Sequence, residues 1–547
     1  MSLRLRQHLG DFANAVGERL ASWGADDVLA RMWARDHTLW SSHPVPELTD
    51  RLGWLELPDR LNRLIPELEE FGSELVADGI EHVVVLGMGG SSLAPEVFAK
   101  TFGSAPDAPA LRVLDSTHPA AVLSTAAAID LETTGFIVAS KSGTTIEPLA
   151  LMEYFWSRVS DLGVDPGRRF VAITDPGSNL EALAGDRRFR RTFLAPPDVG
   201  GRYSALTEFG MVPAAAIGAD LAALGASALS AAHNNSATAG VAQSRGCRLG
   251  AAMGELARAG RDKVTLLTSP DLAALPAWIE QLIAESTGKS GTGIVPVGGE
   301  ALGSATAYGS DRFFVIIETP DGAPVDTTAI VDHPYAEISL DLPTDIAGVM
   351  YDFEVATALA GSVLGIQPFN QPDVQLAKEL ARQAMAGDLD TSMVSAADAL
   401  TPDLVGRVAD WLNSAAAGDY VGIHAFIEPT AAARDALDEA RLAVRDARAL
   451  ATTVDFGPRF LHSTGQLHKG GPDSGLFLEI IDRPTPSVPV PNTDYDFAQL
   501  VTAQALGDHL ALKQKGRRTL LISLGDSGME ALERVCAAVG AAARSGH

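Results

Sequence analysis

Ser140, Ser142, Thr144 and Thr145 crowd four hydroxyls and a glycine into the first six residues of "SKSGTTIEP". The stretch follows a strand-like run, "GFIVA", and precedes a helix-like one, "LALMEYFW". One or two hydroxyls would cap a helix, since Ser and Thr oxygens accept the orphan N–H groups of a first turn. Four suit a guest with several acceptor oxygens, and phosphate at a helix N-terminus is the obvious one. A second loop, in "VVVLGMGGSSLAPEVF", sets Gly90 and Ser91 between another buried run and another helix. Its G-x-G-G-S-S spacing matches neither the dinucleotide fingerprint nor the P-loop. The glycines would let a ligand approach the backbone, or would simply close a tight turn. Two such loops from neighbouring strand–helix units would converge at the carboxyl edge of a parallel sheet, where open α/β sheets bind ligands.

Four further stretches carry polar groups in suggestive places. "DVGGRYSALTEFG" puts Arg202 after a glycine pair on a loop. "WIEQLIAESTGKSGTG" puts Gln281 and Glu285 four apart, on one helix face, with Glu285 where the helix ends. A carboxylate there opposes the helix macrodipole unless a cation compensates. "QPFNQPDVQLAKELARQA" sets Gln371 before a proline and Lys378 seven residues on, two turns into the next helix. "RFLHSTGQLHKGGP" holds His462 and His468, with neither the i,i+4 spacing nor the adjacent Glu of a zinc site. Each of these residues also has an ordinary reading as a solvated loop or helix-face side chain.

The elements that must position them are legible as β-rich runs from His82, Leu111, Phe136 and Phe170, separated by helical patterns. Further runs begin at Val264, Phe313, Tyr420, Leu476 and Thr519. Such alternation predicts βαβ units, parallel sheets and an α/β fold. The recurrent strand ends "AITDP", "LLTSP" and "IIETP" suggest two related halves. The expected organisation is a helical arm over 1–78, a first lobe over 79–230, and a second lobe with a C-terminal extension over 231–547. The start, "MSLRLRQHLGDFANAVGERLASWG", reads as an amphipathic helix and not a signal peptide. Residues 386–418 suit a surface excursion with one helix. Lys+Arg of 42 against Asp+Glu of 69 gives a charge of −27, which offers no footprint for nucleic acid or an anionic membrane. Two cysteines without a CxxC pairing fit a reducing cytoplasm.

Taken in order, "GMGGSS", "SKSGTT", "GGRYS", "ESTGKSGT" and "QPDVQLAK" resemble the phosphoglucose isomerase family, whose fold is the two-lobed sugar isomerase (SIS) type. The chain is similar to the isomerase half of transaldolase–isomerase fusions. The resemblance implies an aldose–ketose isomerase acting on glucose 6-phosphate and fructose 6-phosphate through a cis-enediol. It needs no cofactor or metal, forms a homodimer and has a possible functional association with a transaldolase. It implies that Ser140, Ser142, Thr144 and Thr145 bind phosphate, and that Gly90 and Ser91 line the sugar. Glu285 would be the base beside Gln281, Arg202 would stabilise the enediolate, and Gln371 and Lys378 would lie near ring oxygen and phosphate. Pro148 stands where the family has another hydroxyl. The family's ring-opening histidine falls between the Glu and Lys motifs, a region without histidine here. His462 matches it through an H-x-x-x-Q-L pattern, in changed chain order, so its segment must fold back into this subunit's cleft or a partner's. A mannose-phosphate type isomerase and a non-catalytic phosphosugar-binding regulator are the alternatives.

Overall fold

A computed structural model describes residues 3–389 and 394–545. The chain opens with a strand, β1 (Arg4–His8), where the sequence reading placed a helix. "LRLRQ" also alternates at period two, and Leu5 is buried while Arg4 and Arg6 are exposed. Helices Ala13–Ala25, Val28–Trp33 and Leu57–Ala77 follow.

The first sheet holds β2 (His82–Gly87), β3 (Ala110–Leu114), β4 (Thr134–Ala139), β5 (Phe170–Thr174) and β6 (Arg191–Leu194), all parallel in the order β3-β2-β4-β5-β6. The second holds β7 (Lys263–Thr268), β8 (Val295–Val297), β9 (Arg312–Glu318) and β10 (Tyr335–Ser339) in the order β8-β7-β9-β10, with β1 antiparallel at the edge. The third holds β11 (Ala397–Asp398), β12 (Tyr420–Phe426), β13 (Ala451–Phe456), β14 (Gly475–Ile481) and β15 (Arg518–Ser523), parallel in the order β13-β12-β14-β15-β11.

The α/β class therefore holds, with three mainly parallel sheets in place of two. The runs from Tyr420, Leu476 and Thr519, read as part of a lobe over 231–547, make a sheet of their own. They close a separate apolar core with helices Leu404–Leu412, Ala431–Arg448 and Gly528–Ser545. Hydropathy marks such strands but not their partners, and the linking stretch 386–418 falls partly outside the described residues.

The helix Ile346–Leu364 is apolar enough to resemble a membrane span, yet it is core, packed between helices Leu221–Asn234 and Arg245–Arg258.

Candidate active site

β4 ends at Ala139, and the hydroxyl-rich turn leads into the helix Ile146–Ser160. Thr145 precedes the first turn, and its side chain makes no capping bond. The hydroxyls bond one another instead, Ser140 Oγ to Thr145 Oγ1 at 3.1 Å and Ser142 to Thr144 at 2.9 Å. Capping does not account for the cluster. A helix entrance whose hydroxyls can turn outward suits an anion, which the macrodipole favours.

The opposite wall is built around a buried ion pair. Glu285 lies in the last turn of the helix Leu275–Thr287, and burial raises its carboxyl above the usual range, partly offset by Arg202, Gln281 and His462. The cation that a carboxylate at a helix C-terminus requires is Arg202, whose Nη1 donates to Glu285 Oε2 at 3.3 Å. Arg202 is 1% exposed, and its plane is fixed by Nε on Ser286 Oγ at 2.8 Å and Nη2 on the Pro368 carbonyl at 2.5 Å. Gln371 Nε2 donates to Glu285 Oε2 at 2.8 Å, and Gln281 Nε2 reaches Oε1 at 3.4 Å.

The glycines of "GMGGSS" serve close approach of chain to chain. Gly89 has φ +55°, and a Cβ on it would lie 2.5 Å from the His462 carbonyl oxygen. A Cβ on Gly90 would overlap the Gly201 carbonyl oxygen. The loop thus admits the segments carrying His462 and Arg202.

His462 ends the turn Arg459–His462, just beyond β13, and its carbonyl accepts from Gln281 Nε2 at 2.8 Å. Its Nε2 lies 2.8 Å from Glu147 Oε1. Burial would raise the Glu147 carboxyl, but His462, the residue's own N–H and Lys378 outweigh burial and hold it below its ordinary value. An ionised carboxylate only accepts, so Nε2 of His462 carries a proton, and in the neutral imidazole Nδ1 is then the nitrogen with the lone pair. Sequence reasoning missed Glu147. Its one motif signal, "TTIE", matches a capping box and points away from catalysis.

Gly90, Ser91, Ser140, Ser142, Thr145, Arg202, Gln281, Glu285, Gln371, Lys378 and His462 all line one cleft of about 400 Å³, as does Pro148. Thr144 lines an adjoining cavity of about 780 Å³ that shares Lys378 and His462 with the cleft. His468 is elsewhere, buried with its ring 4.5 Å from that of His424. Among the described residues no group of three or more His, Cys, Asp or Glu is arranged to hold a metal ion.

Fold and cleft together define a class: a doubly wound α/β protein that sets an anion-ready loop against a buried carboxylate, a guanidinium and an imidazole. The family model for phosphoglucose isomerase matches residues 65–308. A glucose-6-phosphate isomerase from Symbiobacterium thermophilum is 30% identical over 387 residues, 60% of this chain and 85% of its own length. One from Rubrobacter xylanophilus is 27% identical over 400 residues, 62% of this chain and 90% of its own. Among solved structures, a hypothetical protein from Thermus thermophilus aligns with a TM-score of 0.59 at 25% identity, covering 70% of this chain and 100% of that one. A glucose-6-phosphate isomerase from Chlamydia trachomatis shares the fold at a TM-score of 0.51 and 21% identity, covering 70% of this chain and 80% of its own. The chain belongs to the phosphoglucose isomerase family.

Proposed function

We propose that the protein is a glucose-6-phosphate isomerase, interconverting glucose 6-phosphate and fructose 6-phosphate. The observation that carries this reading is the Glu285–Arg202 pair, buried in a cleft that also contains the hydroxyl-rich helix entrance. In this reading the phosphate sits at Ser140, Ser142, Thr144 and Thr145, and Gly90, Ser91 and Gln371 flank the sugar. His462 exchanges a proton with the ring oxygen as the ring opens, with Lys378 as the second donor. Glu285 removes the proton from one of C1 and C2 and returns it to the other, while Arg202 faces the negative charge that develops on the enediolate oxygen. From aldose to ketose the carbon-bound proton passes from C2 to C1 and the hydroxyl proton from O2 to O1, so the two sugars differ only by internal transfer. The reaction belongs to glycolysis and gluconeogenesis, and a cytoplasmic location goes with it.

The deciding experiment supplies glucose 6-phosphate and fructose 6-phosphate separately and follows formation of the other. Conversion in both directions, with mannose 6-phosphate left unchanged, is the expected result. Turnover of mannose 6-phosphate alone would replace this reading with the mannose-phosphate type. Binding of both hexose phosphates without turnover would make the protein a regulator.

A further inference from the structure

We propose that Gln504 is a positioning residue for the ring-opening histidine: it fixes the carboxylate of Glu147, and through it the ring of His462. The inference rests on the role given to His462 above. Gln504 lies on the helix Phe497–Gln514 of the third sheet, and both it and His462 fall beyond the residues that the family model matches.

A continuous hydrogen-bonded chain runs across the lobes. Thr117, fully buried in the loop after β3, donates its hydroxyl to Gln504 Oε1 at 2.8 Å. Gln504 Nε2 donates to Glu147 Oε1 at 2.7 Å, the same oxygen that faces His462 Nε2 at 2.8 Å. The direction of the chain follows from chemistry. An ionised carboxylate has no proton to give, so the amide must turn its nitrogen toward Glu147 and its oxygen toward Thr117. Thr117 answers with the one donor a hydroxyl has. The amide therefore has one satisfied orientation, and the carboxylate oxygen it holds is the one that selects the Nε2–H tautomer of His462. Without Gln504 the carboxylate is free to rotate about its last torsion, and His462 loses the partner that keeps Nδ1 free for the sugar.

Gln504→Leu keeps the bulk and removes the amide, and Thr117→Val keeps the shape and removes the hydroxyl. With histidine labelled in nitrogen-15, wild-type His462 is expected as the Nε2–H tautomer, and Gln504→Leu as a mixture with the Nδ1–H form. On glucose 6-phosphate, kcat of Gln504→Leu should fall about ten-fold with KM within about two-fold, as for outer partners that orient a functional histidine. Proton exchange on a shorter, open-chain sugar phosphate should stay within about two-fold of wild type, and Thr117→Val should move every readout the same way by less. An unchanged tautomer in both variants overturns the proposal, as do equal losses on cyclic and open-chain substrates, which indicate a packing role. Should Gln504→Leu fail to fold, Thr117→Val decides by the same two criteria. A wild type that converts neither sugar would defeat the functional reading, while the tautomer measurement would still judge the positioning.

Discussion

Glu285 and Ser140 illustrate how far single residues carry the argument. Burial lifts the Glu285 carboxyl above the ordinary carboxylate range, and a base works only when ionised. Activity should therefore fall on acidification through that raised value, so the acid limb of kcat/KM lies at higher pH than an ordinary glutamate would give. Glu285→Gln keeps the shape and removes the base, and should cut kcat by about two to four orders of magnitude and abolish that limb. A variant within a few-fold of wild type would remove Glu285 from the role. The uncapped hydroxyls predict a different pattern. Ser140→Ala with Thr145→Ala should raise KM far more for glucose 6-phosphate than for glucose, and sulfate should compete with substrate in wild type but much less in the double variant. Equal changes for both sugars would mean that the loop does not read the phosphate. Glu285 was singled out as an anion at the wrong helix end and Arg202 as an arginine after two glycines, and both took their roles from the family resemblance. Glu147 obeyed its local rule, an acid in a first turn, and so stayed invisible until His462 was seen beside it.

At the scale of elements, the three sheets share one winding: second strand, first, third, fourth, then an edge strand of varied origin. The edge is β6 in the first sheet, the N-terminal β1 in the second and the two-residue β11 in the third. In the first sheet the order reverses between β2 and β4, and the loops leaving those two strands are the glycine loop and the hydroxyl loop. Alternation and strand ends made that convergence readable from sequence. Pairing was not readable, because a strand's own residues record burial and not the identity of its neighbour. "ATTVDF" of β13 was missed, lying directly after a long helix, and "VPV" of β8 is too short and proline-broken to register. The glycine loop gives this scale its prediction. Gly90→Ala places a methyl group against backbone, beside an arginine whose buried guanidinium cannot yield freely. The expected cost is about 1–3 kcal/mol of stability together with a loss of kcat, as Arg202 is pushed from Glu285. Gly17→Ala, exposed on the helix Ala13–Ala25 with open space around it and away from the cleft, is the control and should lower neither.

The molecule as a whole departs most from its sequence reading in the third sheet, because that sheet completes the cleft. It is fastened to the first by a shared apolar cluster in which Val488, Val490, Phe497 and Leu500 join Leu151 and Phe155. Arg459 adds ion pairs to Glu96 and, at 3.3 Å, to Asp115. These contacts hold the His462 segment against the first sheet of the same chain, so a single chain can place His462 in its own cleft. The expectation of a homodimer left open whether a partner supplies this histidine, and its placement within one chain leads to a sharp expectation. Glu285→Gln and His462→Ala, each nearly inactive on the cyclic sugar, should remain so when unfolded together and refolded as a mixture. If a partner supplied His462, a mixed dimer would hold one site with both Glu285 and His462 intact, and up to about a quarter of the sites in a random mixture would recover. Dilution tests the same point by another route: specific activity should stay constant through the concentration at which any dimer separates, as followed by sedimentation. Recovery of activity on mixing, or a fall in step with dissociation, would place the working histidine in the partner.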